Sequence, residues 1–179
     1  AMFYIRELET YLLVKPMWLG PAYHDYIHQA LREKVEGTVA EKDGLIIAIV
    51  ESKQADKGKL HEGTGLVMVP MTYKAVVLQL FKNEVVDCAV DAVSKLGFFG
   101  EMGPVRVFVS KSSLSDGWRY TEADARSGGA PAYTSEDGNE VIRQGTAVRV
   151  RVIATKMEAK SIMAVASTNG EFLGPRILG

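Results

Sequence analysis

The sequence predicts two small β-rich domains in tandem, an α+β unit over residues 1–80 and an all-β barrel over residues 81–179. Three observations predict this. Only one segment, Ala22 to Val35, has its apolar residues at helical spacing, and almost everything after it is strand-like. The polar stretch Lys82-Asn83-Glu84 separates two blocks of different pattern. Beyond it, five strand-like runs suit a small Greek-key barrel of the OB type.

Phe3 to Val14 mixes β-branched, aromatic and charged residues and reads as a first strand. Pro21 after Gly20 marks a helix start, because proline there gives up an amide that has no helical partner. Tyr23, Ile27, Ala30, Leu31 and Val35 then define one buried face, and Gly37 stops the helix. Thr38 to Glu41 and Leu45 to Glu51 read as a hairpin turning at Lys42-Asp43-Gly44. Lys53 to Gly58 is polar and loop-like, Leu60 opens a short element, and Gly63-Thr64-Gly65 is a bend. Leu66 to Leu80 is a long apolar strand in which Pro70 predicts a bulge or an edge. That strand has more apolar side chains than so small a domain can cover, which predicts a partner interface.

In the second block, strands are expected at Val85–Val93, Gly97–Met102, Val105–Ser110, Thr146–Thr155 and Ser161–Thr168. In Val148-Arg149-Val150-Arg151-Val152 the valines and arginines take opposite faces. The same alternation lets only one of Phe98 and Phe99 point inward. Leu114 to Asn139 is rich in Ser, Gly and Asp and is expected as a surface loop with a short helix or ordered turn.

Composition excludes several classes. Among 179 residues, Lys+Arg is 21 against Asp+Glu 22, so no global basic field draws the chain to nucleic acid. Basic and acidic residues also balance from Phe81 onward, so any nucleic-acid binding would need a local surface and would lack a strong electrostatic grip. The apolar run Gly44 to Val50 is too short to cross a bilayer, and no membrane partner is expected. Arg6, Glu7 and Glu9 break any signal-like region, and Ala1 ahead of Met2 looks like an expression scar. One cysteine cannot form an internal disulfide, as suits a reducing compartment.

No catalytic constellation assembles, and no cofactor is expected. His24 and His28 have true metal-ligand spacing on a helix, but Asp25 stands where a zinc hydrolase needs Glu, and no third ligand follows. Two surface histidines are the better reading. Cys88 lacks a neighbouring base and reads as a small buried hydrophobe. The glycine clusters lack the lysine and helix of a phosphate-binding loop.

Several segments carry a family resemblance. They are Trp18-Leu19-Gly20-Pro21, Val35-Glu36-Gly37-Thr38, Tyr73-Lys74-Ala75-Val76-Val77, Phe81 to Asp87, Lys95 to Pro104, Phe108-Val109-Ser110 and Phe172-Leu173-Gly174. Together, in this order, they resemble the seventh-subunit family of eukaryotic RNA polymerase II, which has a counterpart in the archaeal polymerase. Polymerase I and III stalk subunits share the architecture, but the Tyr-Lys-Ala and Glu-Met-Gly-Pro stretches look most like polymerase II. The resemblance implies an N-terminal truncated-RNP domain and a C-terminal S1-type OB-fold barrel. It also implies a nuclear, non-catalytic stalk subunit that pairs with the fourth polymerase subunit. That pair would dock on the polymerase core near the clamp and meet nascent single-stranded RNA. A free-standing S1-type factor of translation or RNA decay is the alternative.

S1 barrels stack bases on exposed aromatics and track phosphates with basic side chains. In the family pattern, Leu96 replaces the first aromatic of the second strand and Phe99 retains the second. Phe108 stands where a histidine is usual, and Ser161-Ile162-Met163-Ala164 occupies the region of a usual arginine. Phe99 and Phe108 are therefore the candidate stacking residues, with Lys95, Lys111, Arg151 and Lys156 as candidate phosphate contacts. For polymerase-core docking the candidates are Trp18, Leu19, the turn with Asp43 and Gly44, and the bend Gly63-Thr64-Gly65.

Overall fold

The structure, a computed structural model, describes residues 2–40, 43–122 and 129–176. It divides into two compact units, Met2–Gln79 and a second beginning at Leu80.

The first unit holds β1 (Met2–Val14), α1 (Tyr23–Val35), β2 (Val39–Ala40), β3 (Gly44–Gln54), β4 (Lys59–His61) and β5 (Leu66–Gln79). Its antiparallel sheet runs β1-β5-β3-β2, with β4 paired to the start of β5. The helix buries Ile27, Leu31 and Val35 in a core shared with Leu12, Val14, Val69, Met71, Tyr73 and Val77. Each such burial stabilises by about 1.5–3 kcal/mol. α1 starts two residues after Pro21, which sits in a turn closed by Tyr23 N donating to Gly20 O at 3.0 Å. Ala22 caps it without a side-chain bond, so no residue fixes the start sharply.

Three readings of this unit change. First, β3 continues through Lys53 and Gln54 into the segment expected as a loop, because those residues pair with Thr72 and Met71 of β5. Second, Pro70 lies neither at an edge nor in a bulge: β5 is central, and its register with β1 runs unbroken past the Tyr11–Pro70 pair. Pro70 O accepts from Ala55 N at 2.9 Å, so the ring nitrogen faces the same side, in the gap where β3 has ended and β4 has not begun. A missing donor costs no ladder bond there. Third, the uncovered apolar side chains are not those of β5, where Lys74 alone is exposed among the strand's residues. They belong to β1, in Phe3, Ile5, Tyr11 and Leu13, and to Ile47 and Val50 of β3. The last two are the extra residues of two β-bulges. The expected turn at Lys42 and its neighbour Glu41 lie outside the described residues.

The second unit opens with Asn83 in a left-handed turn (φ 69°), its amide donating to Val152 O at 2.7 Å. Its strands are β6 (Val85–Ser94), β7 (Gly97–Met102), β8 (Val105–Ser110), β9 (Arg119–Thr121), β10 (Ala132–Thr134), β11 (Val141–Ile142), β12 (Ala147–Met157), β13 (Ile162–Ser167) and β14 (Gly174–Pro175). The order β13-β8-β7-β6-β12 closes through β12–β13 pairing into a five-stranded OB-type barrel, with β8 and β13 parallel. Val86, Cys88 and Val90, Phe98, Val105, Val107 and Val109, Val148, Val150 and Val152, and Ile162, Ala164 and Ala166 are buried. Arg149 and Arg151 face outward, as alternation requires. Two guanidiniums, from Arg149 and from Arg176 beyond β14, meet Asp87 at 2.9 and 2.7 Å. The Arg149 hydrogen bond first, then that of Arg176, holds the Asp87 carboxyl below its ordinary range.

The Leu114–Asn139 segment is not a plain surface loop. Its described part contributes β9 and β10, which form a three-stranded sheet with β11. Leu114, Tyr133 and Ile142 are buried, and Tyr133 OH donates to Ser94 O at 2.6 Å. Apolar anchors separated by polar residues hid these short strands from a reading based on composition. Residues 123–128 of the segment lie outside the described residues.

Candidate nucleic-acid interface

Strand register arranges the outer face of β7, β8, β13 and β12 in rows. Phe98 points into the core, fully buried, so Phe99 points out. Phe99 pairs with Phe108, Phe108 with Val165, and Val165 with Ala154, giving one apolar row across four strands. The Phe99 and Phe108 rings lie 4.8 Å apart, tilted by 42°. Both are half-buried, and Val165 is 40% exposed. Such a platform offers π-faces to unstacked bases whatever their identity.

Charged rows flank this one. One carries Glu101, Arg106, Met163 and Lys156, again in direct register. On the other side Ser110 and Ser167 follow Phe108 and Val165 by two residues, and Arg151 pairs with Ser167. Arg151 and Lys156 thus bracket the aromatic row at its β12 end, both exposed. Lys111 lies just beyond Ser110, its amide donating to Leu96 O at 2.9 Å. Lys95 is in the β6–β7 turn, its ammonium 2.6 Å from Glu122, whose hydrogen bond raises the lysine pKa. The structure therefore brings Phe99, Phe108, Arg151 and Lys156 onto one surface. Lys95 is already occupied by a carboxylate, which offsets its pull on phosphate.

The sequence reading missed Arg106 and Asp91. The Arg106 guanidinium carbon sits 5.6 Å from the Phe99 ring centroid, and its Nη2 is 3.6 Å from Asp91 Oδ2. Alternation in Val105-Arg106-Val107-Phe108 already put Arg106 on the face of Phe108. Asp91 had the same signal, since Val86, Cys88 and Val90 alternate inward and leave Asp91 on the outer face. It is also the extra residue of a bulge between Val90 and Ala92.

The docking candidates split into two groups. The 3-10 turn Pro16–Trp18 follows β1 where Val14 meets Val67, and Trp18 stacks on Tyr26 at 4.9 Å and 4°. At this same end of the sheet, Gly63, Thr64 and Gly65 form the exposed β4–β5 turn, closed by Gly65 N donating to His61 O at 2.9 Å. Leu19 is 49% exposed. Asp43 and Gly44 lie at the opposite end, beside Leu78. A Cβ on Gly44 would fall 2.3 Å from Leu78 O, so glycine there serves strand packing.

Comparison with known proteins agrees with this arrangement. Residues 9–65 match the SHS2 domain found in the N terminus of Rpb7p/Rpc25p/MJ0397, and residues 79–165 match the S1 RNA binding domain. The chain is 34% identical over 173 residues to DNA-directed RNA polymerase II subunit RPB7 of Glycine max, covering 97% of this chain and 96% of that one. It is 36% identical over 173 residues to the rpb7 subunit of Dictyostelium discoideum, with 97% and 98% covered. It is 30% identical over 175 residues to RPB7 of Saccharomyces cerevisiae, with 97% and 99% covered. The chain belongs to the RPB7 family of RNA polymerase II subunits.

His24 and His28 are neighbours on α1, rings 4.4 Å apart and near perpendicular, with His28 Nδ1 paired to Ser52 Oγ. Among the described residues no group of three or more His, Cys, Asp or Glu could hold a metal. Cys88 is 3% exposed, and burial, with Asp87 adding to it, pushes its thiol up to about 11. A thiol so protonated is a poor nucleophile.

Proposed function

We propose that this chain is a non-catalytic stalk subunit of nuclear RNA polymerase II that guides nascent single-stranded RNA across its C-terminal barrel. Membership of the RPB7 family supports the assembly role. The observation that carries the RNA role is the outward Phe99–Phe108 pair on a barrel matching the S1 RNA binding domain. Charge balance makes the grip modest and largely independent of sequence.

The N-terminal unit supplies the contacts to protein. Phe3, Ile5, Tyr11 and Leu13 leave apolar surface on an edge strand, which suits a partner chain, here the fourth polymerase subunit. The end of the sheet with Trp18, Leu19 and Gly63-Thr64-Gly65 suits docking on the polymerase core near the clamp. Asp43 and Gly44, at the other end, would serve a different contact.

Phe99→Ala and Phe108→Ala should each weaken binding of a single-stranded oligoribonucleotide by about 1–3 kcal/mol while the protein stays folded. Fluorescence anisotropy with a labelled decamer measures this. Unchanged affinity in both variants would remove the stacking face from the account.

A further inference from the structure

The Arg106 side chain starts on β8 and reaches Asp91 on β6, two strands away, so it must lie across β7. On that path its guanidinium covers Phe99, the ring that the proposed function requires for stacking. Both ends of this arm are weakly held. The ion pair spans 3.6 Å between side chains about half-exposed, at 50% and 45%, and such pairs contribute little in water. A cation over an exposed ring adds only about 0.5–1 kcal/mol. The arm is thus a removable cover, and the group it covers is a stacking surface. Its own row continues through Met163 to Lys156, a second cation two strands away, about 10 Å at the usual strand spacing. The aromatic row and the Arg106-to-Lys156 part of the charged row run side by side, as the bases and backbone of one extended strand do.

We propose that Arg106 is the phosphate-engaging arm of this face: it rests on Phe99, tethered to Asp91, in the free protein, and moves to the backbone of a single strand whose base takes its place on the ring. The ligand is a phosphodiester strand lying across β7, β8, β13 and β12, with Lys156 holding a further phosphate. Asp91 acts as a resident competitor for the guanidinium, which keeps the grip weak and the strand free to slide. This inference rests on the RNA-binding reading above.

The test measures a labelled decauridylate on the full-length chain over a salt series. Arg106→Ala should weaken binding about tenfold, as loss of a charged hydrogen bond does. It should also reduce the slope of log K against log salt by about 0.7, one phosphate on a single strand. Arg106→Lys keeps the charge, so it should keep the slope while recovering only part of the affinity, because an ammonium has no flat face for a ring or base. Asp91→Asn should tighten binding about threefold, the scale of an exposed ion pair. Phe99→Ala separates this inference from the reading beneath it. If Phe99→Ala weakens binding but Arg106→Ala leaves affinity and slope unchanged, the arm is wrong and the RNA face stands. If Asp91→Asn binds no tighter, the tether is wrong. If neither Phe99→Ala nor Arg106→Ala has an effect, the RNA reading falls and takes this inference with it.

Discussion

β1 runs 13 residues along one edge of the N-terminal sheet, paired with β5 alone among the described residues, whereas the five main strands of the barrel close on themselves. Closure removes the free row of amides and carbonyls that makes an edge adhesive. It also lets the barrel bury inner-face side chains from each of its five main strands, leaving the outer face for side-chain chemistry. The N-terminal sheet has a helix on one side and apolar residues at the outer positions of its edge strand. One unit is complete in itself and displays a surface. The other is stable around its core but leaves a strand for something else to cover.

The sharpest test of that contrast uses two adjacent residues of β7. Phe98 is fully buried, so Phe98→Ala should destabilise the barrel by about 3–5 kcal/mol, read by urea denaturation. Phe99 faces outward, and Phe99→Ala should cost under about 1 kcal/mol of stability while weakening RNA binding by about 1–3 kcal/mol. Equal losses from the two would mean that the outer face is structural and the division between core and display does not hold.

The edge strand is tested by charge. Ile5→Lys with Tyr11→Lys places cations on a strand where both residues are well exposed, so stability should change by no more than about 0.5 kcal/mol for each. Co-purification with the proposed fourth-subunit partner should fall sharply, because two ammonium groups would be buried without partners at the proposed interface. A variant that still forms a 1:1 complex by size-exclusion chromatography would assign the partner to another surface.

Much of this contrast was legible in the sequence. Strand alternation set the valines of β12 inside and its arginines outside, and helical spacing found the buried face of α1. Those signals are local. What stayed hidden depended on pairing between distant segments. Lys53 and Gln54 look like loop residues until β5 pairs with them, and Pro70 looks like a disruption until the gap between β3 and β4 receives it. Bulges hid most. Val50 and Ala92 face outward because a bulge earlier in the strand has shifted the phase, which a fixed period of two cannot register. Asp91 keeps the phase of Val86, Cys88 and Val90, and it was missed because the candidate face was found through its aromatics and not its charges.

The smallest effect concerns how the helix is held to the sheet. His28 leaves α1 to pair with Ser52 on β3, and its pKa is lowered, first by burial, then by His24 and Arg32, with Asp25 opposing. Its folded value therefore lies below the unfolded value of about 6.5. Between those two values the unfolded chain binds the proton more readily than the native one, so stability falls as pH drops through this window. Below the folded value the loss levels off, and above about pH 7.5 it is absent. The melting temperature of the protein should thus decline from pH 7.5 to 5.5, and part of the decline should vanish in His28→Gln, which keeps a group able to bond Ser52. His28 and Ser52 belong to the N-terminal unit and the proposed RNA face to the barrel, so oligonucleotide affinity is expected not to distinguish His28→Gln from the parent at either pH. A variant that loses as much melting temperature as the parent would leave the helix-to-sheet contact without a titrating member.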